Sequence, residues 1–207
     1  MGSAARWFRE NGLLISFFLL CVFSGLGQAL TGVRSFNADR ASHGFAAISL
    51  LEFLRTGTFL DGIAVNWQAA LLQLYALIIL GVFLYQKGAP HSRKLTHPRK
   101  RSRTETWIYR NSLSLAFLAM FLLSVTAHAI FGAAANNEER MLMHRPPVAV
   151  RDFLQSAKFW TSMLACWEAE FFAMFVYFLF TIFLRQQSSP ESKPEEAPNE
   201  ATGEVNK

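Results

Sequence analysis

From Leu164 to Arg185 the chain reads LACWEAEFFAMFVYFLFTIFLR, which carries two carboxylates, Glu168 and Glu170, into a stretch otherwise apolar or aromatic. Paired acids in such a setting suit proton exchange or cation binding, provided a second polar group comes within reach. His128 and Gln28, each inside another apolar run, are the candidates. An ion pair or shared proton between His128 and Glu170 would relieve the cost of burying either charge, a few kcal/mol on insertion scales. Residues 168 and 170 lie about 200° apart around a helix, so only one can point into a bundle. Trp167, Glu170 and Met174 share one face, while Glu168 goes with Phe171, Phe172 and Phe175. Glu170 is the deeper and the better inward acid. Two plainer readings stand beside this one. Acids in the first turns of a helix favour its dipole and Trp marks headgroup level, so Glu168 and Glu170 also read as interface groups that reach water. An interior polar cluster with a packing role alone is the other.

These residues are positioned by four apolar runs, at 13–32, 64–85, 113–135 and 164–184, within a 207-residue chain that is 52% hydrophobic with 20 Phe. About 20 residues of helix cross ~30 Å of hydrocarbon. Soluble helices show polar residues every third or fourth position, and these runs are apolar most of the way round. Counting from the basic ends at ~1.5 Å per residue, Gln28, His128 and Glu170 all sit about 22 Å from one boundary, which predicts that His128 and Glu170 are level. The two cysteines, Cys21 and Cys166, have no C-x-x-C partner and read as structural thiols. A haem needs axial ligands, and His128 is the only one of the five histidines in an apolar run. No cofactor, no metal and no enzymatic activity are expected.

Shifted by 100 residues, the chain matches itself without a gap. Trp7, Asn11, Leu13 and Phe17 recur as Trp107, Asn111, Leu113 and Phe117; Asn37 and Arg40, with Asp39 between them, recur as Asn137 and Arg140 with Glu139. Trp67, Pro90 and Ser92 recur as Trp167, Pro190 and Ser192. Roughly one position in five is identical over some eighty residues, and apolar composition alone would not align Trp, Asn, Arg and Pro in one register. The recurrence also removes a signal-peptide reading of the first run, since the same segment returns in mid-chain. The expected fold is an all-α membrane protein with four transmembrane helices in two parallel internal repeats. Two spans per copy return the chain to its starting side, which makes the copies parallel.

The expected organisation is a first repeat at 1–94, a basic linker at 95–110, a second repeat at 111–187 and a disordered acidic tail at 188–207. Lysine and arginine crowd the stretch between the repeats, from Lys87 to Arg110, which places it and both termini in the cytoplasm. The connections at 33–63 and 136–163 then face outward. Apolar residues alternating with charge there predict short amphipathic interfacial helices, with a packed cap as the alternative. The linker can touch anionic lipid headgroups; it lacks the aromatic interleaving of a nucleic-acid binder.

The first repeat contains RENGLLISFFLL, GQALTG, NWQAALLQLYAL and FLYQKGAPHS. It resembles a bacterial membrane-protein family of unknown function, two spans long, marked by N-G-L, G-Q-x-L-x-G, N-W-E-x-E-F and F-L-Y-Q-K-G. The resemblance covers both halves and so implies a tandem fusion of two such units. The acids of N-W-E-x-E are lost in the first copy, at Gln68 and Ala70, and kept in the second, at Glu168 and Glu170. The resemblance implies a membrane location and assigns no role to a residue. The expected function is a non-enzymatic structural or accessory component of the inner membrane, with the lipid bilayer, a second copy or another membrane protein as partner. The alternative is a small proton- or cation-linked transporter using His128, Glu168, Glu170 and Gln28.

Overall fold

The computed structural model describes residues 3–92 and 106–203, and among these there is no strand. The elements are α1 (Ser3–Glu10), α2 (Gly12–Ser42), α3 (Leu50–Phe53), α4 (Gly57–Phe83), α5 (Trp107–Arg110), α6 (Ser112–Leu142), α7 (Val150–Leu154) and α8 (Ala157–Phe183). Four of them, α2, α4, α6 and α8, are long and apolar enough to cross a membrane. The all-α, four-span fold is as expected. Most of the basic linker, residues 93–105, lies outside the described residues, as do 204–207.

The long helices outrun the apolar stretches that announce them. α2 and α6 continue to Ser42 and Leu142, and α4 and α8 begin at Gly57 and Ala157. The connections expected at 33–63 and 136–163 therefore shrink to 43–56 and 143–156. Hydropathy marks the part of a helix matched to lipid, whereas the backbone ladder stops only where a residue leaves helical dihedrals. That residue is Gly44, at φ +81°. Phe45 N donates to the Arg40 carbonyl at 2.9 Å and Gly44 N to that of Ala41 at 3.1 Å. α6 ends the same way at His144, φ +54°, with Arg145 N on the Arg140 carbonyl at 2.8 Å.

The Asn-x-acid-Arg signature of the duplication is a loop clamp. Asn37 Nδ2 donates to the Ile48 carbonyl at 2.9 Å while Ile48 N donates to Asn37 Oδ1 at 2.8 Å. Asn137 holds Val148 with the same two bonds, at 2.9 and 2.8 Å. Arg40 Nε donates to Ala46 O and Arg140 Nε to Pro146 O. Replacing Asn137 by Ala removes two hydrogen bonds and strands two half-buried backbone groups. A loss of about 2 kcal/mol is expected in thermal unfolding of the detergent-solubilised protein. Asn37→Ala should cost the same; a change below about 0.5 kcal/mol at either site would show that the clamp is incidental.

Each connection then makes one short helix whose phenylalanine is buried. Phe53 and Phe153 are both 3% exposed. They press on Gly32 and Gly132, where an added Cβ would come within 2.8 Å of either ring. These contacts belong to the packed-cap alternative. α3 is closed by a capping box: Glu52 N donates to Ser49 Oγ, and Ser49 N to Glu52 Oε2. Hydrogen bonds from the Ser49 backbone and hydroxyl hold the Glu52 carboxyl below its ordinary range. α7 has Ala149 where α3 has Ser49, and so no such box.

α4 and α8 start on the same local cap: Ser156 Oγ accepts from Phe159 N, and Thr56 Oγ1 accepts from Phe59 N at 3.2 Å. α4 has a second cap from α6: the Glu138 carboxylate accepts from Gly57 N at 2.6 Å, Thr58 N at 2.9 Å and Thr58 Oγ1 at 2.7 Å. A carboxylate on free N–H groups at the positive end of a helix is a strong cap. Position 38, the duplicate of Glu138, is Ala and cannot return the favour.

The chain divides into two compact units, Met1–Gly62 with Ile130–Phe153, and Ile63–Ala129 with Leu154–Lys207. Each unit draws on both sequence repeats. In the second unit the expected disordered tail is instead an ordered, turn-rich segment through residue 203. Thr202 Oγ1 accepts from Gly88 N at 2.8 Å and from the Tyr85 hydroxyl at 3.2 Å, and Gly203 N donates to Ala89 O. Lys193 is buried, with Nζ donating to the Asn199 carbonyl at 2.9 Å, and burial then the nearby Arg185 charge lower its basicity. Arg185 reaches the Ala197 carbonyl and Asn199 Oδ1. Composition foretells disorder when apolar groups are too few to pay for ordering. Here polar backbone and side-chain groups of the loop after α4 supply the partners instead.

Candidate intramembrane polar site

Within the second unit, α4, α6 and α8 bring buried polar side chains together in two places. The first is at His128 of α6, which is fully buried. Its ring stacks on Phe159 at 4.9 Å between centroids and 18° between planes. Nε2 lies 3.3 Å from Ser162 Oγ, and that hydroxyl donates its single proton to the Phe159 carbonyl at 3.0 Å.

The second place is at Gln68 of α4, also fully buried. Trp167 Nε1 of α8 donates to Gln68 Oε1 at 2.9 Å, and Trp167 leans on Phe121 of α6. Because an indole N–H only donates, the amide orientation is decided: the oxygen faces Trp167 and Nε2 faces away. Among the described residues, Nε2 has no hydrogen-bond partner. Two helical positions earlier on α4, Asn66 Oδ1 meets Cys166 Sγ at 4.0 Å, a weak contact. Positions 66 and 166 are duplicates of one another. His91 and Glu191, which pair at 2.8 Å, are duplicates too. A residue that meets its own copy lies beside the axis relating the copies, so in this unit that axis passes between α4 and α8, which run side by side in the same direction.

The expected site residues are not gathered as a cluster. Glu168 is exposed and Glu170 half-buried, and neither takes part in an ion pair among the described residues. The division of faces is as the helix angle requires. Met163, Trp167, Glu170 and Met174 are buried or half-buried, and Glu168, Phe171, Phe172 and Phe175 are exposed. The levelling of His128 with Glu170 does not hold. Phe121 stands nine residues after Ser112, whereas its neighbour Trp167 stands sixteen before Phe183. The two helices are staggered, so His128 meets Ser162, two turns before Glu170. Gln28 belongs to the first unit, where its Nε2 would lie 3.0 Å from a Cβ added at Gly62. Positions 28 and 62 are the duplicates of 128 and 162, so both helix pairs pack in one register, amide on glycine in one and imidazole on serine in the other.

Sequence reasoning missed Gln68, Ser162 and Glu138. Gln68 had a readable signal, since it stands at the duplicate position of Glu168, and an amide replacing an acid is what full burial demands. Nothing in the sequence marks Ser162 or Glu138. Among the described residues, no group of three His, Cys, Asp or Glu side chains is placed to hold a metal ion.

A family model described as a domain of unknown function, DUF6766, matches residues 4–204. The chain belongs to the DUF6766 family. The match takes in all four long helices. No curated protein and no solved structure matches this DUF6766 chain.

Proposed function

We propose that this DUF6766 protein is a non-enzymatic structural or accessory component of the bacterial cytoplasmic membrane, derived from a two-span unit by tandem duplication. Both termini and the basic linker lie in the cytoplasm, the side to which Lys and Arg excess directs a connection, and the linker rests on anionic headgroups. The observation that carries this reading is how the polar groups within the spans are used. The Trp167–Gln68 and His128–Ser162 contacts join one helix to another rather than opening a path. Between 6% and 17% of the most apolar stretch of each span is buried within the chain, which leaves wide apolar faces for lipid, a second copy or a partner's helices.

A proton- or cation-linked transporter is the second reading, favoured by Glu170 on the half-buried face of α8. Proteoliposomes separate the two. The accessory role predicts proton and monovalent-cation fluxes equal to those of empty vesicles, and a membrane partner or second copy captured by crosslinking in cells with both wild-type protein and Glu170→Gln. A flux that wild-type protein supports and Glu170→Gln abolishes would replace this proposal with the transporter.

A further inference from the structure

Gln68 Nε2 is a donor with two protons, enclosed at 0% exposure between α4 and α8 and without a partner among the described residues. Leaving such a group unpaired in apolar surroundings is costly, and turning the amide over only exchanges the fault, because Nε2 would then face the Trp167 N–H. An acceptor oxygen is therefore required on the side of Gln68 away from the indole.

The chemistry beside it says which. Glu170 follows Trp167 by three residues, so its side chain rises on the same face of α8, as its half-burial beside exposed Glu168 records. It brings two acceptor oxygens and takes part in no ion pair among the described residues. One turn separates Glu170 from the residue that Gln68 touches. Water spans such an interval, accepting from the amide and donating to the carboxylate, and a buried water is stable when two or more polar partners surround it.

We propose that Gln68 Nε2 and the Glu170 carboxylate hold a water molecule between α4 and α8, an intramembrane hydration site next to the axis relating the two repeats. The site is asymmetric by construction. Position 70, the duplicate of Glu170, is Ala, so only one water is held, and it lies on the α8 side.

The test is water-to-amide magnetisation transfer by NMR on uniformly 15N-labelled full-length protein in lipid nanodiscs, reading the Gln68 side-chain amide, identified by its disappearance in Gln68→Met. The expected result is a cross-peak from water to the Gln68 amide that survives in Glu170→Gln, which keeps an acceptor, and falls several-fold in Glu170→Met. The Trp167 indole resonance should stay in place in both Glu170 variants, where its Gln68 acceptor is kept, and serves as the check that each is folded. Absence of the water cross-peak in wild-type protein overturns the proposal, as does a direct contact from the amide to the Glu170 side chain in its place. Should Glu170→Met not fold, the wild-type and Glu170→Gln measurements still decide.

Discussion

Gln68→Glu will destabilise the protein by about 3–5 kcal/mol at neutral pH, whereas the mirror change Glu168→Gln will stay within about 0.5 kcal/mol. The two substitutions exchange the same pair of residue types at duplicate positions, so composition and net charge alone cannot separate them by more than a sign. Burial does. Gln68 is fully enclosed, with its oxygen committed to Trp167, and a carboxylate there has no cation to pair with among the described residues. Glu168 is exposed, and its amide analogue loses nothing that solvent or headgroups do not replace. Reversible unfolding of both variants in mixed micelles at neutral pH measures the difference. Equal and small effects of both variants at pH 7 would show that position 68 reaches water.

Gly57→Ala is the second large effect, expected at about 1–3 kcal/mol of destabilisation with reduced accumulation in the membrane. A Cβ at Gly57 meets the Ala135 backbone nitrogen, with Ala134 C and Cβ at 2.6 Å. Backbone cannot rotate out of the way as a side-chain tip can, so α4 must retreat from α6. That retreat also pulls Gly57 N and Thr58 N off the Glu138 carboxylate. At the duplicate position the natural residue is already Ala157, and Ala157→Gly should cost less than about 1 kcal/mol, the ordinary helix-propensity difference. Thermal unfolding of both variants is the measurement. A Gly57→Ala protein as stable as wild type would mean that the close approach of α4 to Ala134 and Ala135 does not exist in the membrane.

Both predictions rest on differences between duplicates, and these divide what was legible from what was not. The motif Asn-x-acid-Arg was visible as a repeated signature, but its work, tying Asn37 to Ile48 and Asn137 to Val148, appears only when the loop is folded back. The split of α8 into a face with Glu170 and a face with Glu168 needed nothing beyond 100° per residue. Pairing His128 with Glu170 needed the stagger between α6 and α8, which no counting from helix ends supplies. The tail was read as disordered because it lacks apolar groups, yet Thr202 and Lys193 are buried by polar contacts with 85–92 and 197–201.

From the sequence alone came the solvent of the fold, the four spans, the hundred-residue repeat and the rotational face of every helical residue. Each is periodic or compositional, and therefore local. Which face meets which neighbour, at what height, and which of two duplicated residues is enclosed depend on how the helices are staggered against one another. That stagger is set by contacts between residues far apart in sequence, such as Gly57 against Ala134 and Gln68 against Trp167, and only the folded chain contains them.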